Sequence, residues 1–169
     1  MAEVISSRSK QIVIKGYNPN FIIERQVNGS DIYPGCVVTN KGETNAYDID
    51  ICSAGEPPLG IALEHFLDDG LAGTVRDTPD IDAVYTDDAS VRIALIGSGM
   101  VCMCFLAANA TVAIYGGDRL CTTGSAGHLA LPTFTTTTAQ LSADWLGFVG
   151  RSIEYDTGAS AVRTLAVIV

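Results

Sequence analysis

The chain has 169 residues, of which 47% are hydrophobic and 17% charged, and its formal net charge is −9. Such a length and apolar content fit one domain with a real core and exclude wholesale disorder. The acidic balance excludes a nucleic-acid-binding surface as the main business, because backbone phosphates would be repelled. No signal peptide stands out, and no run approaches the roughly 18 apolar residues of a membrane helix, so no membrane partner is expected.

Residues 1–27 differ from the rest. They hold Arg8, Lys10, Lys15 and Arg25, four of the ten basic residues, against only Glu3 and Glu24. Ile12-Val13-Ile14 and Phe21-Ile22-Ile23 are β-prone, and Gly16-Tyr17-Asn18-Pro19-Asn20 interrupts them. The segment up to the Asn28-Gly29 turn reads as an extended N-terminal arm over residues 1–30 with two strand-forming pieces. It reads equally as the first hairpin of the domain.

From Asp31 onward short apolar pieces alternate with turns. The pieces are Cys36–Thr39, Ala46–Cys52, Gly60–His65, Ser90–Ile96, Met100–Ala107, Thr111–Tyr115, Leu120–Thr122, Leu129–Leu131, Leu146–Tyr155 and Arg163–Val169. Val, Ile, Thr and Tyr dominate them, while Gly, Pro, Asn and Asp fill the gaps. This spacing predicts an all-β barrel or sandwich over residues 31–169 with little helix. One turn at Glu64–Asp69 and a short helix at Ala139–Trp145 are the helical candidates, and Thr133–Thr138 is a low-complexity stretch. Leu59-Gly60-Ile61-Ala62-Leu63-Glu64 echoes Leu146–Glu154, each a Leu-Gly followed by an apolar strand and a Glu. Two similar strands in one barrel account for that echo.

The residues that could carry chemistry lack their contexts. Gly97-Ser98-Gly99 follows a strand, as a dinucleotide fingerprint would, but Cys102 holds the third Gly position and another strand follows. Gly124-Ser125-Ala126-Gly127 is one residue short of a nucleophile elbow. Asp80 and Asp82 could open a calcium loop, yet no Gly follows at the sharp turn and Val91 stands where the closing Glu should be. Carboxylate pairs such as Glu64 with Asp68 carry almost no specificity in so acidic a chain. His65 and His128 have no obvious partner in sequence. The five cysteines, Cys36, Cys52, Cys102, Cys104 and Cys121, are odd in number and lack framework spacing. They read as buried reduced thiols of a protein made in the cytoplasm. Cys102 and Cys104 would share a strand face about 7 Å apart, without the second close pair that a zinc site wants. No catalytic residue, cofactor or metal site is expected, and Trp145, the only Trp, reads as a core or interface anchor.

Taken in order, the turns form a recognisable set. Ile32-Tyr33-Pro34-Gly35-Cys36-Val37-Val38 precedes Leu59–Glu64, then Ile81–Tyr85 and Val91–Leu95. Gly97–Val101, Phe105–Val112, Gly117-Asp118-Arg119-Leu120, Gly127-His128-Leu129, Gly147–Gly150 and the tail Leu165–Val169 follow. This ordered set resembles the capsid cement, or head decoration, proteins of tailed viruses of bacteria and archaea, over residues 31–169. Asp87-Asp88-Ala89 departs from it, standing where the family tends to have a Gly-Asp turn, and the loop Asp68–Pro79 is long.

The resemblance implies a compact β fold, β-tulip-like or barrel-sandwich-like. It implies a structural virion protein without enzymatic activity, located on the outer surface of the capsid and stabilising the shell. The partner it implies is the major capsid protein, with the decoration protein grouped as a homotrimer and an arm clasping neighbouring subunits. On that reading Arg8, Lys10, Ile12, Val13, Ile14, Lys15, Tyr17, Phe21, Ile22 and Ile23 bind the capsid. The apolar members add strands to capsid sheets, and the cations meet acidic capsid surface. Two alternatives stand beside it. A barrel-sandwich carrier would use Gly117-Asp118-Arg119-Leu120 as its hairpin turn and need a modified lysine such as Lys41. A small ligand-binding β domain has no nominated site.

Overall fold

The computed structural model describes residues 12–42, 47–64, 84–107, 113–122, 126–132, 146–153 and 163–168, the last as backbone. Its strands in chain order are β1 (Val13–Lys15), β2 (Ile22–Val27), β3 (Val37–Asn40), β4 (Asp48–Ile51), β5 (Pro58–Ala62) and β6 (Ser90–Leu95). They continue as β7 (Val101–Phe105), β8 (Arg119–Thr122), β9 (Leu129–Ala130), β10 (Phe148–Ser152) and β11 (Arg163–Ile168). The fold is all-β, and a 3-10 turn at Pro19–Phe21 is the one named helical element among the described residues. Residues 13–27 of the segment expected as an arm supply β1 and β2. The helical candidate Ala139–Trp145 and the stretch Thr133–Thr138 lie outside the described residues.

Strands β2-β4-β3-β5-β6 close a barrel, and β1-β7-β11-β10-β8-β9 form a six-stranded sheet. The second assembly repeats the first strand for strand, β7 to β11 standing for β2 to β6. In the barrel β3 pairs antiparallel with β4 and β5, and β5 with β6. In the sheet β8 pairs antiparallel with β9 and β10, and β10 with β11. Register is also repeated. Val38 faces Gly60 and Gly60 faces Leu95, as Leu120 faces Gly150 and Gly150 faces Ile168. The ladder slips between Val38 and Thr39, and at the matching place between Phe148 and Gly150 opposite Leu120 and Cys121. The parallel closure of β2 on β4 through Val27 and Ile49 returns as a single parallel bridge between Leu106 and Leu129. Elements that match in this way, β5 and β10, also pack on each other.

The turn leading into β3 shows why the repeat is local chemistry as well as topology. Cys36 N–H donates to Tyr33 O at 3.0 Å, and the Gly35 and Cys36 main chain exchanges bonds with Ala62. In the second half Asp118 N–H donates to Tyr115 O at 3.1 Å, and Gly117 and Asp118 exchange bonds with Ser152. Gly35 has φ 92° and Gly117 φ 96°, a region that favours a residue without a β-carbon. The echo between Leu59–Glu64 and Leu146–Glu154 does not come from two strands of a single barrel, because β5 and β10 lie in different sheets. Nor does it mark the matching positions, since the register pairs Gly60 with Gly150 and not with the Gly147 of the echo.

Two cores follow from this arrangement. Val27, Ile32, Val38, Ile49, Ala62, Val91 and Ile93 fill the first barrel. In the second, Leu106, Ile114, Leu120 and Leu129 match Val27, Ile32, Val38 and Ile49, and their cluster includes Val149 and extends to Val37, Ile61, Leu63 and Ala94 from the outside of the first. β3, β5 and β6 thus bury apolar side chains on both faces, which is why their sequences read as nearly unbroken apolar runs. The approach of β5 to β6 is so close that a β-carbon on Gly60 would overlap the Ala94 carbonyl. All five cysteines are buried as thiols.

Candidate functional site

The residues expected to bind a partner fall on the segment from Ile12 to Val27, so its geometry comes first. Ile12 is fully buried and Val13 nearly so, and both join the cluster between the two halves. Main-chain bonds fix them there. Ile12 N–H donates to Glu64 Oε2 at 3.0 Å, and Ile12 O accepts from Met103 N–H at 2.8 Å. β1 then runs antiparallel along β7, Val13 facing Cys102 and Lys15 facing Val101 across an irregular register. β1 is an edge strand of its sheet.

Past β1 the chain turns through Gly16, at φ 77°, and reaches Asn18. Asn18 caps the 3-10 turn, its side chain accepting from Asn20 N–H at 3.1 Å, and Pro19 sits at the start of the turn where its missing N–H is not needed. Ile22 N–H donates back to Pro19 O, and β2 begins. β2 runs antiparallel to β6 from Ile22 opposite Ala94 to Gln26 opposite Ser90. Ile22 packs on the shared cluster and Ile23 on the core of the first barrel, each half-buried.

The segment therefore divides by exposure. Ile12, Val13, Ile22 and Ile23 are spent on the chain's own cores. Ile14 at 41%, Tyr17 at 58% and Phe21 at 39% are the exposed apolar side chains of the segment, with exposed Lys15 among them. Arg8, Lys10 and Trp145 lie outside the described residues.

Three anchors hold this segment and its neighbourhood. Glu64 is buried and accepts from Ile12, and Arg92 Nη2 lies 3.4 Å from its Oε1. Tyr85 Oη donates to the Leu63 carbonyl at 3.0 Å, and its burial pushes the phenol well above its ordinary range. Lys41 Nζ donates to Asn28 O at 2.9 Å and pairs with Asp50 at 3.0 Å. Partial burial would raise the Asp50 carboxyl, but the Lys41 bond and charge and the Ile51 N–H together hold it below the usual value. The lysine that a carrier domain would need modified is thus engaged with Asn28 and Asp50.

The groups tested for chemistry are placed as follows. Gly97-Ser98-Gly99 joins β6 to β7, with Met100 N–H donating to Ser98 Oγ at 3.3 Å. His128 Nδ1 lies 2.9 Å from Ala126 O, and its ring packs at 5.4 Å from that of Phe105. Asp68, Asp80, Asp82 and His65 lie outside the described residues. Among the described residues no three His, Cys, Asp or Glu side chains gather as they would around a metal ion, and no helix is long and apolar enough to cross a membrane.

Sequence reasoning missed the main-chain edge of β2. Successive N–H groups of a strand point to opposite sides. Val27 N–H donates to Ala89 O beside β6, while Gln26 N–H donates outward to Tyr47 O at 3.1 Å. Glu24 N–H shares the outward direction of Gln26, two residues earlier than the point where β4 arrives. Glu24 is exposed, and its side chain is held by Ser90 Oγ. Hydrophobicity patterns carry no trace of such an edge, because it belongs to the backbone.

No protein-family model matches the chain, and no curated protein matches it significantly. Among solved structures it is similar to the N base of the head fiber gp8.5 of bacteriophage phi29. That likeness has 12% identity and a TM-score of 0.49, and covers 88% of this chain and 92% of the other.

Proposed function

We propose that this chain is a structural virion protein of a tailed virus that binds the outer surface of the capsid and stabilises the shell. Its function on this reading is binding rather than catalysis, its partner is the major capsid protein, and it is made in the host cytoplasm. The observation that carries the reading is the exposure of Ile14 and Lys15 on the edge strand β1, with exposed Tyr17 and Phe21 in the loop and 3-10 turn that follow it. Three apolar side chains and a cation left in water on one short segment suit docking better than folding. The order of turns set out above supplies the class of partner.

The contact works through side chains and backbone together. Tyr17 and Phe21 bury apolar area against the shell, and Arg8, Lys10 and Lys15 meet acidic capsid groups. The outer edge of β1 offers its main-chain groups to a capsid strand. Grouping as a homotrimer multiplies the affinity of each weak contact.

Sedimentation of the purified protein with undecorated heads tests the reading. The expected result is co-sedimentation that the double variant Tyr17→Ala, Phe21→Ala weakens about tenfold or more. Absence of co-sedimentation at a large micromolar excess over heads overturns it. Removing residues 1–27 is not a clean test, since it would take β1 and β2 out of the two assemblies. Light scattering of the free protein reads the trimer.

A further inference from the structure

We propose that the outer face of the six-stranded sheet is a cationic docking surface, on which Lys15, Arg151 and Arg119 receive a carboxylate-bearing segment of the capsid subunit. The inference rests on the capsid reading for the identity of the partner, and on the register of the sheet for the surface itself.

Strand pairing builds the surface. Lys15 faces Val101, Val101 faces Val167, and Arg151 faces both Val167 and Arg119. Residues directly opposite one another share one face of a sheet. Lys15, Val101, Arg151 and Arg119 therefore stand in a single row, with Val167 at the register position between Val101 and Arg151. In the strand order, Arg151 and Arg119 lie about 14 and 19 Å along the sheet from Lys15. The three cations are exposed and Val101 is half-buried. Ile153, two residues beyond Arg151 and so on the same face, is 45% exposed. Both guanidinium groups have definite seats. Arg151 Nη1 donates to Gly117 O at 2.7 Å, and Arg119 lies 5.8 Å from the centre of the Phe148 ring.

The first half shows what this face does when it is covered. Arg119, Arg151 and Ile153 stand where the first half has Val37, Ile61 and Leu63. Those three are fully buried and pack on the second half. One face of the repeated unit is thus an internal apolar interface in the first half and an exposed, cationic surface in the second. A face built only for water would set opposite charges across from each other, because like charges directly opposite weaken a sheet. In a chain with 19 acidic and 10 basic residues, two arginines face each other here instead.

Charge selects the occupant. Guanidinium groups match the planar oxygens of carboxylates and phosphates. A carboxylate partner is favoured, because the net charge of −9 repels a phosphate backbone. Val101 and Ile153 also offer apolar contact to a protein surface. Through Lys15 the row is continuous with the exposed residues of β1 and the turn after it, so a subunit docked there meets the arginines with the same surface.

Sedimentation of the intact protein with undecorated heads tests the proposal. In about 50 mM salt the double variant Arg119→Gln, Arg151→Gln should bind about tenfold more weakly than the parent, and in about 500 mM salt less than about threefold. The single variant Arg151→Gln should lose binding in the same direction, and matching urea midpoints establish that each variant is folded. Arg25→Gln removes a positive charge from the first half and should bind within about twofold of the parent. Heads that bind parent and double variant equally, or a loss that Arg25→Gln reproduces, overturn the face and leave the capsid reading standing. Heads that bind neither protein overturn the capsid subunit as occupant, and the capsid reading with it. A DNA fragment that retains the parent but not the double variant overturns the occupant in favour of a phosphate backbone. Salt-sensitive dimers in light scattering, absent from the double variant, overturn it in favour of a second copy. In the protein alone, a dicarbonyl reagent should modify Arg119 and Arg151 faster than the half-buried Arg92. Slower modification shows that the chain covers the face itself and overturns the surface.

Discussion

The main-chain N–H of Ile12 donates to the buried Glu64 carboxylate at 3.0 Å, across a sequence separation of 52 residues. Ile12 opens β1 on the second half of the molecule, whereas Glu64 follows β5 of the first. One carboxylate therefore fastens the start of the chain across the boundary between the two duplicated units. Arg92, 3.4 Å from the other carboxylate oxygen, balances its charge.

Glu64→Ala should cost about 1–3 kcal/mol, because it leaves the buried Ile12 N–H without its acceptor and removes the carboxylate beside Arg92. Glu64→Gln keeps an acceptor for Ile12 and should cost less than about 1 kcal/mol, since Arg92 is partly solvated. Urea unfolding of the three proteins checks the order. Amide exchange at Met103 should rise in the alanine variant as β1 loosens.

Gly60→Ala should be among the most damaging small substitutions in the chain. The added methyl would meet the Ala94 carbonyl and the Ile93 side chain, so β5 must move away from β6. A loss of about 3 kcal/mol is expected from overpacking at such a site. The measurement is the shift in denaturation midpoint.

Asp88 occupies the turn position that Gly35 and Gly117 hold elsewhere, with φ 66°, and is the one non-glycine residue at positive φ among the described residues. Its side chain accepts from Gln26 Nε2 at 3.1 Å. Asp88→Gly should change stability by less than about 0.5 kcal/mol, as relief of backbone strain offsets greater freedom in the unfolded chain. Asp88→Val should destabilise by about 2 kcal/mol, a β-branched side chain being poorly suited to that region. Thermal unfolding of both variants separates the two outcomes.

The thiols predict a pH dependence. Burial raises Cys52 and Cys102 to about 12 from an ordinary value of 9.0, with the Glu56 and Glu64 charges respectively adding to the shift. Unfolded thiols lose their protons above 9.0 while the folded ones keep theirs, so the folded state binds more protons there. This part of the stability is full below pH 9.0 and falls progressively as pH rises towards 12. Urea midpoints measured across that window check the sign. A thiol reagent at pH 8 should label the native protein far more slowly than the unfolded chain.

Much of this was legible before any coordinates. Apart from Thr111–Tyr115, which matches no named strand, the pieces from Cys36 to Val169 fall within a few residues of β3 to β11, because Val-, Ile- and Thr-rich runs bounded by Gly, Asp and Pro are a local signal. The segment before Asp31 was legible only in part. Ile12–Ile14 and Phe21–Ile23 read as strand formers, and β1 and the start of β2 lie there, but the sequence left open whether they belong to an arm or to a hairpin. Their partners β7 and β6 lie far along the chain, and periodicity carries no record of distant pairing. The duplication was not legible in the sequence, because the Leu-Gly echo sets Gly60 beside Gly147 whereas the matching residue is Gly150. Buried positions accept Val, Leu or Cys interchangeably, so two units can share a register without sharing residues.

The sequence by itself determined an all-β chain, its turns, the burial of its thiols and the cationic, apolar character of its first residues. These are properties of neighbours along the chain, set by propensity and composition. Only the tertiary structure decided that the strands form two matching assemblies, that Glu64 reaches Ile12, and that β1 covers Met103. Each of those depends on backbone groups brought together by packing. A strand's hydrogen-bonding edge has no side-chain signature from which it could be read.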